Sequence, residues 1–324
     1  MSLRRFIPDG FTLGLLGAVV LGALLPAEGN VADVLDVVAD IAIGLVFFLH
    51  GARLHREVVI AGLRQWRLQG FILATTFVVF PLLGLVIHAA LPSSFAAPLA
   101  TGILFLCLLP STVQSSIALT SVAGGNVAAA VCAATASNLI GMVLTPAAVS
   151  LLLQTQGSGV SLSSFGPILY QLLLPFIAGQ LLQPLIGGFV ARRRRLLAAS
   201  DRGAILLVVY LAFSAAVVAN LWDRVSVPML VALVAICIGL FAAVVAFTTT
   251  GARLLGFGKA DEITAVFCGS LKSLVAGIPI ANVLFAGPDL GLIVIPVMLF
   301  HQVQLVASSF IARRYALRGI AASP

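Results

Sequence analysis

The sequence predicts an all-α polytopic membrane protein of ten transmembrane helices, arranged as two inverted five-helix repeats with the fourth and ninth helices broken. Three observations carry that expectation. The chain is 61% hydrophobic and only 9% charged, where soluble domains hold roughly one-quarter charged residues. On a ten-span reading, 16 of the 18 Lys and Arg fall on one side of the membrane. Two apolar segments at equivalent places in the two halves are interrupted by proline, glycine and polar residues, and one of them carries a lone lysine.

A hydrocarbon core about 30 Å thick needs roughly 20 apolar residues per spanning helix. The stretches that qualify run Phe11 to Pro26, Val34 to Ala52, Leu68 to Leu91, Pro98 to Ala123 and Val127 to Gln154 in the first half. In the second half they are Phe165 to Val190, Gly203 to Leu221, Pro228 to Leu255, Ile263 to Phe285 and Leu290 to Ala312. The first follows a short basic lead-in and ends in Leu-Leu-Pro26-Ala-Glu, with no small-x-small cleavage pattern, so it reads as a span and not as a signal peptide. In the second, Asp40 and His50 lie ten residues apart near opposite ends, where interfacial snorkelling accounts for both. The polar stretch Gln154 to Ser164 reads as a flexible link between residues 1–154, the first repeat, and residues 165–324, the second.

Charge tests the count independently. With the N-terminus inside, Arg4, Arg5, Arg53, Arg56, Arg64, Arg67, Arg192 to Arg195, Arg202, Arg253, Lys259, Arg313, Arg314 and Arg318 are all cytoplasmic; Arg224 lies outside and Lys272 in the membrane. That asymmetry is the positive-inside pattern, and one miscounted span would destroy it. Both termini are therefore expected in the cytoplasm. The net charge of +7 follows from basic loops meeting an anionic leaflet, so the lipid bilayer and not nucleic acid is the expected partner. Cys107, Cys132, Cys237 and Cys268 all fall inside predicted spans without metal-ligand spacing, and read as small buried hydrophobes. No oligomeric state follows from the sequence.

An odd number of spans in each half forces the second half to enter the membrane in the opposite orientation. Inverted repeats of this kind place a substrate site near the midplane, between discontinuous helices. The fourth segment reads Leu109-Pro-Ser-Thr-Val-Gln114-Ser-Ser-Ile-Ala-Leu-Thr120-Ser, and the ninth reads Cys268-Gly-Ser-Leu-Lys272-Ser-Leu-Val-Ala-Gly277-Ile-Pro279. A charge at that depth costs several kcal/mol on any scale and usually faces a cavity or pathway. Unwound backbone there exposes N–H and C=O groups able to bind an ion or an anionic substrate group, although Pro110 and Pro279 also fit simple kinks.

The segment Pro110-Ser-Thr-Val-Gln-Ser-Ser116, followed by Gly125-Asn126 and Leu144-Thr-Pro146, resembles the fourth and fifth helices of the bile acid:sodium symporter family, solute carrier family 10. Gly269-Ser-Leu-Lys-Ser-Leu274 is similar to the ninth helix of its divergent seventh-member-like branch. Gly51-x-x-Leu54, Gly70, Phe77 and Pro81 fit the same pattern, so the resemblance covers essentially the whole chain. It implies a core domain of spans three to five and eight to ten, in which the broken helices cross. A panel domain of spans one, two, six and seven would then let the core rock, giving alternating access to an organic anion.

The departures from that family bear on coupling. Sodium-coupled members carry a glutamate where this chain has Phe267, a Gln-Asn pair where it has Leu271-Lys272, and a serine and threonine where it has Ala130 and Ala134. A Ser-Asn pair of their fourth helix aligns with Ser115-Ser116 or Ser116-Ile117. Replacing a carboxylate by phenyl and adding an ammonium reverses the local electrostatics, so two intact sodium sites are not expected and no metal ligand set is assigned. Lys272 then has several available roles: a resident cation held by Ser115, Ser116, Thr120 and backbone carbonyls, a proton carrier, a direct partner of the anionic substrate, or a fixed cation coupled to nothing.

Softer candidates surround it. Asn138 shares a helical face with Ala134 and Ala130, and His301, Gln302 and Gln304 occupy a parallel place in the tenth span. Gln114 and Asn126 belong to the motifs above, and Thr75 and Thr76 face the crossing by motif position. Ser270 and Ser273 flank Lys272; as a Ser-Lys nucleophile they would point to different faces of a helix. There is no H-E-x-x-H, G-x-S-x-G or phosphate loop, so no enzyme and no cofactor is expected. The favoured function is a secondary transporter of a small organic anion in a bacterial inner membrane, with Na+ or H+ as the coupling ion. The alternatives are a membrane-embedded regulatory or interaction protein with a transporter fold, and a cation/proton antiporter.

Overall fold

The computed structural model describes residues 10–53, 65–154, 165–285 and 287–321. Arg4, Arg5, Arg56, Arg64 and most of the polar link lie outside them. Every regular element among the described residues is helical. In chain order these are α1 (Gly10–Leu24), α2 (Asn30–Arg53), α3 (Trp66–Ala74), α4 (Phe80–Ala90), α5 (Ala97–Leu108), α6 (Gln114–Val122) and α7 (Val127–Gln154). They continue as α8 (Phe165–Arg192), α9 (Arg194–Val218), α10 (Val227–Leu254), α11 (Lys259–Ser270), α12 (Leu274–Leu284) and α13 (Leu290–Ala321).

Among the described residues, seven helical stretches are long and apolar enough to cross a membrane: Trp66–Ala90, Val127–Leu152, Leu172–Val190, Leu197–Val218, Val227–Leu254, Lys259–Leu284 and Leu290–Leu317. The difference from ten has physical causes. The α1 helix is apolar but only 15 residues long. The α2 helix, 24 residues long with Asp33, Asp36 and Asp40 in its first half, is not among the seven. The fourth segment is divided into two short helices at Pro110. Apolar side chains such as Leu13, Leu16, Val34, Ile41, Leu181 and Leu185 are exposed along the helices, as a lipid-facing surface requires. The protein is an integral membrane protein.

The chain divides into two compact units. One consists of Met1–Arg53, Tyr170–Val225 and Ile278–Leu292. Within it α9 packs on both α1 and α2, and Arg53 donates to the buried Asp201 carboxylate at 2.7 Å. The α2 and α8 helices cross at two glycines: a Cβ on Gly51 would strike the Phe176 carbonyl, and one on Gly179 would strike that of Phe48. Small residues at such a crossing let the two backbones touch, which is how helices associate where no hydrophobic effect drives them.

The other unit consists of Leu54–Leu169, Ser226–Gly277 and Ile293–Pro324. Its helix α11 packs against α10, α3, α6 and α7, and every residue from Glu262 to Ser270 is buried. Leu68, Ile72, Ala129, Ala130, Ala133, Ala265 and Cys268 make one apolar cluster between these helices. At the start of α11 the Glu262 carboxylate accepts from Lys259 Nζ (2.8 Å), Arg253 Nε and Nη2 (both 3.2 Å) and the Tyr315 hydroxyl (3.0 Å). All four cysteines are buried and free.

The two interruptions do not have the same cause. Pro110 lacks the N–H that would bond Leu106 and forces Leu109 to be extended (ψ 152°), so α5 ends there. In the ninth segment Pro279, read from sequence as the breaker, lies inside α12; the break falls earlier, at Leu271–Ser273, with Leu271 extended (ψ 138°). Gly277 serves packing, since a Cβ there would meet Leu109 Cδ1 at 2.6 Å.

Candidate functional site

Three backbone features of one unit converge on Lys272. The first is the C-terminal end of α5, whose last carbonyls have no intrahelical donors because the chain turns extended at Leu109. Each finds a named partner: Leu106 O accepts from Leu109 N–H (3.3 Å), Leu108 O from the Thr145 hydroxyl (2.8 Å), and Cys107 O and Leu109 O from Lys272 Nζ (3.0 and 2.6 Å).

The second feature is a π-helical turn at Thr75–Val79 between α3 and α4. It shifts the Phe80 N–H onto the Thr75 carbonyl. The next N–H in that wider register would belong to residue 81, which is a proline and has none. The Thr76 carbonyl is thereby released and accepts from Lys272 Nζ at 3.0 Å. Phe80, directly after the turn, places its ring 4.1 Å from the ammonium, a cation–π contact between two buried side chains.

The third feature is the break itself. Lys272 is only 1% exposed, and its backbone is clasped by one side chain: Gln304 Oε1 accepts from Lys272 N–H (2.7 Å) while Gln304 Nε2 donates to Lys272 O (2.8 Å). Ser273 N–H donates to the Pro110 carbonyl (2.9 Å), so the breaks of the fourth and ninth segments are hydrogen-bonded backbone to backbone. Ser111 Oγ donates to Cys268 O (2.7 Å) and Ser116 Oγ to Phe267 O (3.3 Å), adding two more ties across the crossing.

An ammonium has three N–H donors and here each meets a carbonyl oxygen. A neutral amine would aim its lone pair at one of those oxygens, so the cage suits the charged form. Two helix-end carbonyls supply partial negative charge as well as acceptors. No carboxylate contributes: the unit's described carboxylates, Asp261 and Glu262, bind Asn126 (2.9 Å) and the Arg253, Lys259 and Tyr315 cluster.

The other residues singled out in the sequence divide into three groups. Thr76, Ser116, Ser273, His301 and Asn138 meet at or beside the crossing. Asn138 Nδ2 donates to Ser111 O (2.8 Å) and to Ala134 O (2.9 Å), holding the first break as Gln304 holds the second. His301 Nδ1 lies 3.0 Å from Gln304 Nε2. Thr75 and Ser270 are buried but turned to their own helices, bonding Phe71 O (2.8 Å) and Val266 O (2.6 Å). Thr120 is buried in α6, Ser115 and Gln302 are half-buried, and Gln114 is exposed.

Asn126 stands apart from the ammonium. Its Oδ1 accepts from Ala129 N–H (3.0 Å), capping α7, and its backbone N–H donates to Thr264 Oγ1 (2.9 Å). Side-chain reasoning passed over Ser111, Ser137, Phe80 and the carbonyls of Thr76, Cys107 and Leu109. Ser137 Oγ accepts from Ser111 N–H at 2.9 Å. Two signals for them were present: Pro81 seven residues after Ala74, and a proline directly after Leu109.

Comparison with known proteins places this chain among transporters. The family model described as the SBF-like CPA transporter family matches residues 9–317. The chain is 53% identical over 319 residues to the uncharacterized protein PA2026 of Pseudomonas aeruginosa, covering 98% of this chain and 96% of that one. It is 48% identical over 315 residues to the "Putative symporter YfeH" of Escherichia coli (strain K12), with 97% and 95% coverage. To the sodium/bile acid cotransporter 7 of Rattus norvegicus it is 27% identical over 321 residues, with 95% and 92% coverage.

Proposed function

The chain belongs to the SBF-like CPA transporter family, and on that premise we propose that it is a secondary active transporter of a small organic anion, bile-acid-like or carboxylated, in which Lys272 takes the place of a coupled sodium ion. Family membership makes it a transporter and not an enzyme. The observation that carries the proposal is the cage of three carbonyls and one aromatic ring around a fully buried ammonium, at the joint of two interrupted segments.

The positions that bear oxygen ligands in sodium-coupled members support the same reading. Phe267 is fully buried with its ring 6.4 Å from that of Tyr315. Ala130 and Ala134 are fully buried, Ala130 inside the apolar cluster. Hydrocarbon fills those places, while a cation on a side chain enters five residues after Phe267. Such a cation never leaves, so the energy of the crossing is independent of sodium.

The architecture we attach to this reading is ten spans in two inverted repeats: α1, α2, α3–α4, α5–α6 and α7, then α8, α9, α10, α11–α12 and α13. A feature consistent with the repeat is that the span after each break supplies an amide to it, Asn138 in one half and Gln304 in the other. The unit holding the crossing acts as the core domain, the unit of α1, α2, α8 and α9 as the panel, and movement of core against panel gives alternating access. Both termini face the cytoplasm of a bacterial inner membrane.

The test is uptake into proteoliposomes. Taurocholate and short-chain carboxylates serve as labelled probes, driven by a sodium gradient, by a pH gradient or by neither. The account expects anion accumulation that a sodium gradient does not enhance. Accumulation that requires inward sodium would reverse the assignment of Lys272.

A further inference from the structure

The amide of Gln304 cannot be turned over without breaking its bonds, and this fixes the proton on a neighbouring histidine. Oε1 faces the Lys272 N–H, which can only donate, and Nε2 faces the Lys272 carbonyl, which can only accept. The remaining hydrogen of Nε2 points to His301 Nδ1 at 3.0 Å. Nδ1 must therefore be the acceptor, and the neutral ring carries its proton on Nε2. His301 is only 7% exposed and Gln304 is fully buried, so neither can turn to water for a substitute.

We infer that His301 is the site of the coupling proton, and that its occupancy is read by the ninth-segment break through Gln304. A proton arriving from the aqueous phase at Nδ1 converts that nitrogen from acceptor to donor and sets N–H against N–H. Gln304 then either loses the bond or rotates its carbonyl oxygen toward the imidazolium. Rotation presents its NH2 to the Lys272 N–H and its oxygen to the Lys272 carbonyl, and both clasping bonds fail. The clasped backbone and the protonated imidazole are thus mutually exclusive states. Linkage makes the effect reciprocal: any step of the cycle that opens the break raises the affinity of His301 for a proton, and closing it expels that proton.

The charges around the joint push the same way. Among the described residues, the titratable groups on the elements meeting here include Lys272 on the break, Cys107 at the end of α5, Cys268 on α11, Cys237 on α10, whose thiol lies 3.8 Å from the Pro296 carbonyl of α13, and Arg313, Arg314 and Tyr315 further along α13. An imidazolium bonded to the amide that clasps the Lys272 backbone adds positive charge to a unit whose only described carboxylates, Asp261 and Glu262, are engaged elsewhere. Tight closure with both groups charged is doubly disfavoured. A proton on His301 and a closed clasp around the Lys272 backbone therefore belong to different states of the crossing.

The role as coupling site rests on the transporter reading; the local switch does not, and it is measured without transport. Hydrogen–deuterium exchange of the full-length protein in nanodiscs, corrected for intrinsic rates, is followed on peptides spanning residues 270–277 between pH 8 and pH 5. In wild type the protection of this stretch should fall at least tenfold on acidification. In His301→Asn, which keeps an acceptor for Gln304 Nε2 but cannot titrate, it should stay constant. Nitrogen-15 spectra of wild-type histidines at pH 8 supply a readout free of any variant: one buried ring should be neutral with Nδ1 unprotonated. Protection that does not change with pH, a His301→Asn variant as acid-sensitive as wild type, or a His301 protonated on Nδ1 at pH 8 would each overturn the inference. Absence of anion uptake with the switch intact would instead count against the transporter reading.

Discussion

Lys272 Nζ and the carbonyl oxygen of Leu109 lie 2.6 Å apart, the shortest of the three bonds that seat a buried ammonium at the end of α5. The bond joins the two interrupted segments of one unit. Removing the charge spares the several kcal/mol spent in desolvating it, but leaves three buried carbonyls without donors at about 1–3 kcal/mol each. Lys272→Met should therefore be destabilised by a net of about 2 kcal/mol or more, visible as a lower melting temperature in detergent. A variant as stable as wild type would mean the cage does no more than offset the cost of burying the charge.

Pro81 gives a prediction of unusual sign. Replacing proline in a helix interior by alanine ordinarily stabilises, by up to about 3 kcal/mol. Here the restored N–H would compete with Lys272 for the Thr76 carbonyl. Pro81→Ala should show no such gain, and a loss of about 1 kcal/mol is expected in the same thermal assay.

The sequence made the lone lysine, the helical membrane class, the family and the first break legible, because each depends on side-chain type: a charge in an apolar run, 61% hydrophobic residues, a proline after Leu109. The cage was not legible in the same way. Its oxygens belong to the backbone of Thr76, Cys107 and Leu109 and are exposed by a π turn and a helix end, so the identities of those residues say little. Thr76 stands out by motif position only; its hydroxyl bonds Ile72 O (2.9 Å), while its carbonyl meets the ammonium. Pro279 fits the simple-kink reading, because an interior proline is tolerated in a membrane helix such as α12. Gln114 and Asn126 sit in the same motifs as Ser111 and Ser116, but motif membership does not determine which face turns to the crossing.

Gln114 and Asn138 offer a paired test of that distinction. Gln114 is exposed, so Gln114→Ala should stay within about 0.5 kcal/mol of wild type. Asn138→Leu removes the donor to Ser111 O, whereas Ala134 O keeps its bond within α7, and should cost about 1–3 kcal/mol, for one buried acceptor left unsatisfied. Chemical or thermal unfolding of the two variants side by side measures the contrast.

In the other unit, Gly51→Ala and Gly179→Ala each drive a methyl into the carbonyl of the facing helix. Either should cost about 2 kcal/mol or more by forcing α2 and α8 apart, seen as reduced yield and lower melting temperature. Gly44→Ala, on the same α2 helix with open space at its Cβ, should be neutral or slightly stabilising.

The central claim is that Lys272 is the resident cation of the crossing, and the most direct measurement is thermal stability of the purified protein in sodium against potassium at constant ionic strength. A ligand at free concentration c that binds only the folded state raises stability by RT ln(1 + c/Kd). The account predicts that wild type is indifferent to sodium, while Lys272→Gln melts lower and becomes responsive to added cations. Sodium-specific stabilisation of wild type that grows with concentration would contradict it, because it would show an exchangeable cation bound despite the lysine.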